Sequence, residues 1–242
     1  MEIKIALALE SFKARTTTLP FTFQTNPIAK KAGTRYCISA DGMTSFNDFV
    51  YAFQGSKSST LSNWSKCTIP LGNTVFKSSE TVVFAACKAA LFNDTETFQL
   101  VMSDPGIGPK DAKGLGRLVK GFQADVWERE SRWISDLVLL IKCLWNQEVM
   151  EELLRTNGKR LCEASPRDTV WGIGAGAKNV EVALNPKRWA GRNELGNSWE
   201  RVRGYLLSVL EAKSVGDVPF LVEIEKVAMF SNWFEYDNEC VS

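Results

Sequence analysis

The 242-residue chain contains no histidine. That absence removes Ser-His-Asp and Cys-His nucleophile chemistry and every metal site that relies on imidazole. Acid or base work, if the protein does any, falls to carboxylates, lysines, tyrosines or water. Charge of one sign is also lacking: 29 Lys and Arg stand against 28 Asp and Glu. No global field draws polyanions in, so an anion site must be local. No uninterrupted apolar run approaches the roughly 18 residues that cross a bilayer, and Met1-Glu2-Ile3-Lys4-Ile5 has neither a basic start nor a small-residue cleavage site. Neither membrane insertion nor secretion is expected; a cytoplasmic location is. The six cysteines (37, 67, 87, 143, 162 and 240) form no C-x-x-C pair and no short metal-ligand spacing, which points to buried free thiols in a reducing compartment. Gly106-Ile107-Gly108-Pro109-Lys110 does not fit a phosphate-binding P-loop. Gly172-x-Gly174-x-Gly176 does not fit the dinucleotide spacing.

What is present is an ordinary globular composition, 45% hydrophobic and 24% charged, long enough for one sizeable core. Ile3, Ile5, Leu7 and Leu9 alternate with polar neighbours and predict a strand over 1–10. Phe220, Val222 and Ile224 predict another near the far end. Between Ser11 and Ser59 the composition predicts short strands and loops, with aromatic segments at Thr22-Phe23 and Phe49-Val50-Tyr51. From Ser78 the apolar spacing becomes helical: Val82, Val83, Ala86, Ala90 and Leu91 form one stripe, with Ser78 or Ser79 as N-cap. Further helices are expected over 111–122, 127–145, 147–156 and 198–210. The second of these carries the longest apolar stripe, and the third stops at Asn157-Gly158.

The densest chemistry lies in Leu161-Cys162-Glu163-Ala164-Ser165-Pro166-Arg167-Asp168-Thr169-Val170-Trp171-Gly172-Ile173-Gly174-Ala175-Gly176. Two carboxylates, an arginine, a tryptophan and three alternating glycines sit between helices, where a loop can present charged groups and backbone N–H together. The plainer alternative is a connector in which Asp168 caps a turn and Trp171 fills the core.

These residues resemble the NADAR (YbiA-like) family. Its signature "L-x-E-A-S-P-x-D-x-x-W-G-x-G" is matched by Leu161 to Gly174. An upstream "G-R-x-V-x-G-F-x-x-x-x-W" is similar to Gly116 through Phe122 with Trp127 in step. Gly191-Arg192-Asn193-Glu194-Leu195-Gly196, Ser62-Asn63-Trp64 and Lys88-Ala89-Ala90-Leu91-Phe92-Asn93-Asp94 match three further motifs in order. The resemblance implies an α+β fold, mainly helical with a small peripheral sheet, over residues 61–210. Residues 1–60 would then be an extension of short strands packed on the core, and 211–242 a C-terminal extension with one strand. It also implies hydrolysis of a bond between a ribose carbon and a base-type nitrogen, without metal or redox cofactor. The substrate would be a small ribosyl or ADP-ribosyl compound, such as a ribosylamino-pyrimidine intermediate of riboflavin biosynthesis or an ADP-ribosylated nucleic-acid base.

Such a step needs charge support at an oxocarbenium-like ribose, a carboxylate beside it and a proton donor for the departing nitrogen. Carried over by the resemblance, Glu80, Lys88 and Asp168 are the candidate catalytic residues. Asn63, Trp64, Arg117, Trp127, Glu163, Arg167, Trp171, Gly172, Gly174 and Asn193 are candidates for substrate binding, and Arg192 is a further candidate for phosphate. Glu80 would face the ribose, or else merely favour the helix dipole. Lys88 would pair with phosphate or attack the anomeric carbon as an amine. Trp127 and Trp171 would sandwich the base, stacking being worth about 1–3 kcal/mol per base, or else fill the core. In the family the helix lysine follows the glutamate by seven residues, but here Lys88 follows Glu80 by eight. At about 100° per residue, eight steps rotate the side chain away. Either the helix carries a one-residue bulge, or Thr81 takes the glutamate's place and the carboxylate is displaced. In the second case the chain would be a module that binds ADP-ribose or a nucleotide without turning it over.

Overall fold

The computed structural model describes residues 29–31, 34–212 and 220–235. The strand expected over 1–10, the Thr22-Phe23 segment and Cys240 lie outside the described residues. Strands β1 (Ala29–Lys31), β2 (Thr34–Ile38), β3 (Thr44–Phe46) and β4 (Val50–Phe53) run antiparallel in sequence. β7 (Arg160–Glu163) joins β4 in parallel, giving the order β1-β2-β3-β4-β7, while β5 (Ile69–Leu71) and β6 (Thr74–Phe76) form a separate hairpin. All four residues of β4 are buried, as a parallel pairing covered on both faces requires. The β4–β7 register sets Phe53 opposite Glu163, and thereby fixes where the unusual loop begins.

Helix α1 is continuous from an opening turn, Ser79–Thr81, through a π-helical stretch, Val82–Cys87, to a closing turn, Lys88–Leu91. Ser78 caps it, its hydroxyl accepting from Thr81 N–H at 3.2 Å. Then follow α2 (Thr95–Ser103), α3 (Pro109–Leu118), α4 (Ala124–Trp145), α5 (Gln147–Arg155), the short α6 (Val180–Ala183), α7 (Glu194–Glu211) and α8 (Ile224–Phe234). α3 starts on Pro109, whose fixed φ and missing N–H suit the first helical position. α2 was not legible as a helix, because only Thr97 and Val101 of it are buried. Asp94 nonetheless caps it through Thr97 N–H.

The long stripe of α4 is apolar nearly all round from Trp133 to Leu144, the pattern of a helix enclosed by other elements. One side packs with α1, the β5–β6 hairpin and α8; the other packs with β4, α5 and α7. The strand expected around Phe220 to Ile224 is not formed: residues 220–223 are irregular and α8 begins at Ile224. Phe220 and Ile224 are exposed, at 76% and 54%, and of the alternating three only Val222 is buried. Val227, Phe230 and Phe234, at helical spacing, pack into the core instead, with Phe234 edge-on to Phe76 at 6.0 Å. Five cysteines (Cys37, Cys67, Cys87, Cys143 and Cys162) are buried, and Cys67, Cys87 and Cys162 are free thiols. Among the described residues no helix is long and apolar enough to cross a membrane.

Candidate active site

A cavity of about 720 Å³ opens between α1, α3, the start of α4, the loop before α1 and the loop after β7. Ten of the residues singled out from the sequence line it: Asn63, Trp64, Glu80, Lys88, Arg117, Trp127, Glu163, Arg167, Asp168 and Trp171. Gly172, Gly174 and Asn193 do not.

The π-helical stretch of α1 explains how Glu80 and Lys88 share this cavity. Eight α-helical steps amount to about 800°, roughly 80° past two full turns. A π-bulge absorbs one extra residue, leaving the equivalent of seven steps, within about 20° of two turns. Glu80, Phe84 and Lys88 therefore line the same wall. α3 approaches the bulge closely: a Cβ on Gly116 would fall 1.9 Å from the Phe84 carbonyl oxygen. The same Gly116 offers its own carbonyl to Lys88 Nζ at 2.7 Å. Lys88 Nζ also lies 4.0 Å from the centre of the Phe122 ring and 5.5 Å from that of Trp127. Burial lowers the proton affinity of its amine.

Two carboxyls in the cavity are strongly perturbed. Glu80 is buried, and desolvation pushes its pKa up to about 7 despite Lys113, a hydrogen bond from the Trp64 side chain and Arg117. Desolvation, with the charges of Asp168 and Glu80 added, pushes Glu163 up to about 8. Its Oε2 is buried without a hydrogen-bond partner. Desolvation disfavours the charged form, so both acids hold protons that a solvated glutamate would have lost. Asp168 serves the loop as well as the cavity: its Oδ1 accepts from Val170 N–H at 3.0 Å and Trp171 N–H at 2.8 Å. Asp168 thus caps a turn of the loop and also lines the cavity.

Trp127 and Trp171 do not form an open sandwich. Phe84 stands between them, edge-on to Trp127 at 6.1 Å and to Trp171 at 5.0 Å. The three rings form one aromatic wall in the edge-to-face arrangement that ring quadrupoles favour.

The glycines and Asn193 hold the loop in shape. A Cβ on Gly172 would meet Ser165 Cβ at 2.8 Å and Asp168 O at 2.9 Å, and Gly174 has φ +75°. The missing side chain of Gly172 leaves room for the turns of the loop itself, and the left-handed backbone of Gly174 favours a residue without a Cβ. Asn193, itself at φ 58°, is buried and bridges the end of β7. Its Nδ2 donates to Leu161 O at 2.8 Å and its Oδ1 accepts from Glu163 N–H at 3.1 Å. Arg192 is held in ion pairs with Glu128 and Glu194. The loop before α1 is tied from beneath: Glu152 accepts from Tyr51, Ser59 and Thr60, while the buried Lys142 donates to Ser62 O at 2.8 Å and Ser65 Oγ at 3.0 Å. Asn63 O in turn accepts from Glu80 N–H, which locates the start of α1.

Sequence reasoning missed Phe84, Lys113 and Ser165 in the lining. Lys113 had a signal, since it precedes Arg117 by one helical turn and so shares its face. Phe84 had none, because its position depends on the π register.

A relative from Acanthamoeba polyphaga mimivirus bearing the name N-glycosidase R617 is 34% identical over 118 residues, 49% of this chain and 68% of that protein. Protein irg-1 of Caenorhabditis elegans is 32% identical over 129 residues, 52% of this chain and 59% of its own. N-glycosidase Npun_R5314 of Nostoc punctiforme is 29% identical over 107 residues, 44% and 61% of the two chains. The chain thus spans about two thirds, or somewhat less, of the length of these relatives. The Escherichia coli protein YbiA has the same fold, with a TM-score of 0.55 at 21% identity over 70% of this chain and 92% of YbiA. The NADAR domain model matches residues 49–207, a span that takes in β4, the bulged helix, the cavity walls and β7 with its loop, and the chain belongs to the NADAR domain family.

Proposed function

We propose that this protein is an N-glycosidase that hydrolyses the bond between a ribose carbon and a base-type nitrogen in a ribosyl or ADP-ribosyl compound. The observation that carries the reading is the convergence of Glu80, Glu163 and Asp168 in one cavity with indole faces and cationic side chains, in a chain with no imidazole. The names carried by two of the relatives support it. Ionised Glu80 is assigned to the ribose face, where a carboxylate supports positive charge at the anomeric carbon and orients water. Asp168, with Oδ1 committed to the loop, is assigned to the ribose hydroxyls through its other oxygen. The aromatic wall of Trp127, Phe84 and Trp171 receives the base. Lys88, Lys113, Arg117 and Arg167 answer the negative charge of a phosphate or pyrophosphate. Lys88 is held between a carbonyl and ring faces, a setting suited to a cation.

A binding module without turnover would follow from Lys88 being rotated off the face of Glu80. The π-helical residue removes that rotation, so turnover is the reading favoured. Incubation with ADP-ribosylated guanosine and with a ribosylamino-pyrimidine phosphate, followed by chromatography for free base, tests it. Release from at least one is expected, and is expected to vanish in Glu80→Gln; binding of both with release from neither would refute it.

A further inference from the structure

Resting on the N-glycosidase reading, we infer that Glu163 is the acid that delivers a proton to the departing base nitrogen. Placement argues first. Glu163 closes β7, where its register opposite Phe53 fixes the strand end. Its N–H is held by Asn193 Oδ1 at 3.1 Å, and its carbonyl accepts from Ile173 N–H at 3.0 Å and Ser165 N–H at 2.9 Å. With its backbone fixed on both sides, the side chain projects into the cavity lining with a buried Oε2 that no group of the protein satisfies. A buried carboxyl oxygen without a partner carries a free-energy cost, and a hydrogen bond between it and a ligand atom relieves that cost.

The charges around it argue second. Asp168 from the loop and Glu80 from α1 raise its proton affinity, while Lys142 from α4 and Lys113 from α3 oppose them without prevailing over desolvation. The residue therefore enters the reaction protonated at neutral pH, next to a Glu80 that ionises about one pH unit lower. Two carboxyls whose surroundings separate their proton affinities divide into an acid and a base.

The step balances simply. The bond between the ribose carbon and nitrogen breaks with its electron pair passing to nitrogen, which takes the proton of Glu163. Water oxygen adds to the ribose carbon and gives its proton to Glu80. Solvent then returns a proton to Glu163 and removes one from Glu80.

The test uses two probes that share an ADP-ribosyl group and differ in what departs. The exocyclic amine of ADP-ribosylated guanosine must be protonated to leave well. The nicotinamide of NAD+ leaves as a neutral molecule and needs no proton. Glu163→Gln is expected to slow release from ADP-ribosylated guanosine by about 10²–10⁴-fold, to leave any NAD+ cleavage within a few-fold of wild type, and to abolish the decline of the guanosine reaction above about pH 8. That decline, measured in the wild-type protein, needs no variant and covers the case in which Glu163→Gln folds poorly. Equal loss on both probes, or wild-type rates on both, overturns the assignment, as does a wild-type guanosine reaction that keeps rising through pH 9. If wild type cleaves neither of these probes nor a ribosylamino-pyrimidine phosphate, the N-glycosidase reading itself fails, and this inference with it.

Discussion

Replacing Glu80 by glutamine should stabilise the protein while removing its activity, and the gain should depend on pH. Glu80 has a pKa of about 7 in the folded protein against an ordinary value of 4.5. Between those values the unfolded chain has released the proton and the folded chain still holds it. The folded state then binds more protons, so stability falls as pH rises through this window. At pH 5.5 the cost is on the order of 1 kcal/mol. By pH 8, where both states are ionised, it reaches about 3 kcal/mol, at 1.36 kcal/mol for each pH unit separating the two values. Glutamine carries no such penalty and keeps the shape. With about 2–4 °C per kcal/mol for a domain of this size, the variant should melt about 6–12 °C above wild type at pH 8 and within a degree or two of it at pH 4. Glu163, relieved of a neighbouring charge, should add to the gain at the alkaline end. Differential scanning calorimetry at pH 4, 5.5 and 8 on both proteins measures this directly. A melting difference that does not grow with pH, or a variant less stable at pH 8, would refute the claim that burial holds this carboxyl in a costly state for the sake of its chemistry.

Deleting Ala86 from the π-helical stretch should convert α1 to regular α geometry with the lysine now seven residues after Glu80 and still on its face; circular dichroism should stay helical while ligand binding and turnover persist, and their collapse would deny that the bulge serves to absorb one extra residue. Gly116→Ala would place a methyl on the Phe84 carbonyl, and urea unfolding should show a loss of about 1–3 kcal/mol from overpacking. Asn193→Ala leaves Leu161 O and Glu163 N–H without partners inside the fold, so each should cost about 1–3 kcal/mol, with faster hydrogen exchange around β7 as the local readout.

The sequence by itself determined the absence of imidazole, which leaves any acid or base work to carboxylates, lysines, tyrosines or water. The long apolar stripe of α4, the Ser78 cap and the loop with Glu163, Asp168 and Trp171 were also legible, because these are local patterns that backbone geometry reads within a few residues. Spacing alone even raised the one-residue bulge as one of two possibilities, though nothing local chose between them. Only the tertiary structure made that choice: a π-turn persists where neighbouring elements fit it, as α3 does by laying Gly116 against Phe84. The tertiary structure also set an irregular segment and the start of α8 where a strand was expected at Phe220 to Ile224, since burial and not alternation decides which face of a short segment matters. It left Gly172, Gly174 and Asn193 outside the cavity lining, where they shape the loop, and added Phe84 and Lys113 to the cavity. The proton affinities of Glu80 and Glu163 belong to the same class. Desolvation is a property of everything packed around a group, and no stretch of sequence contains its own surroundings.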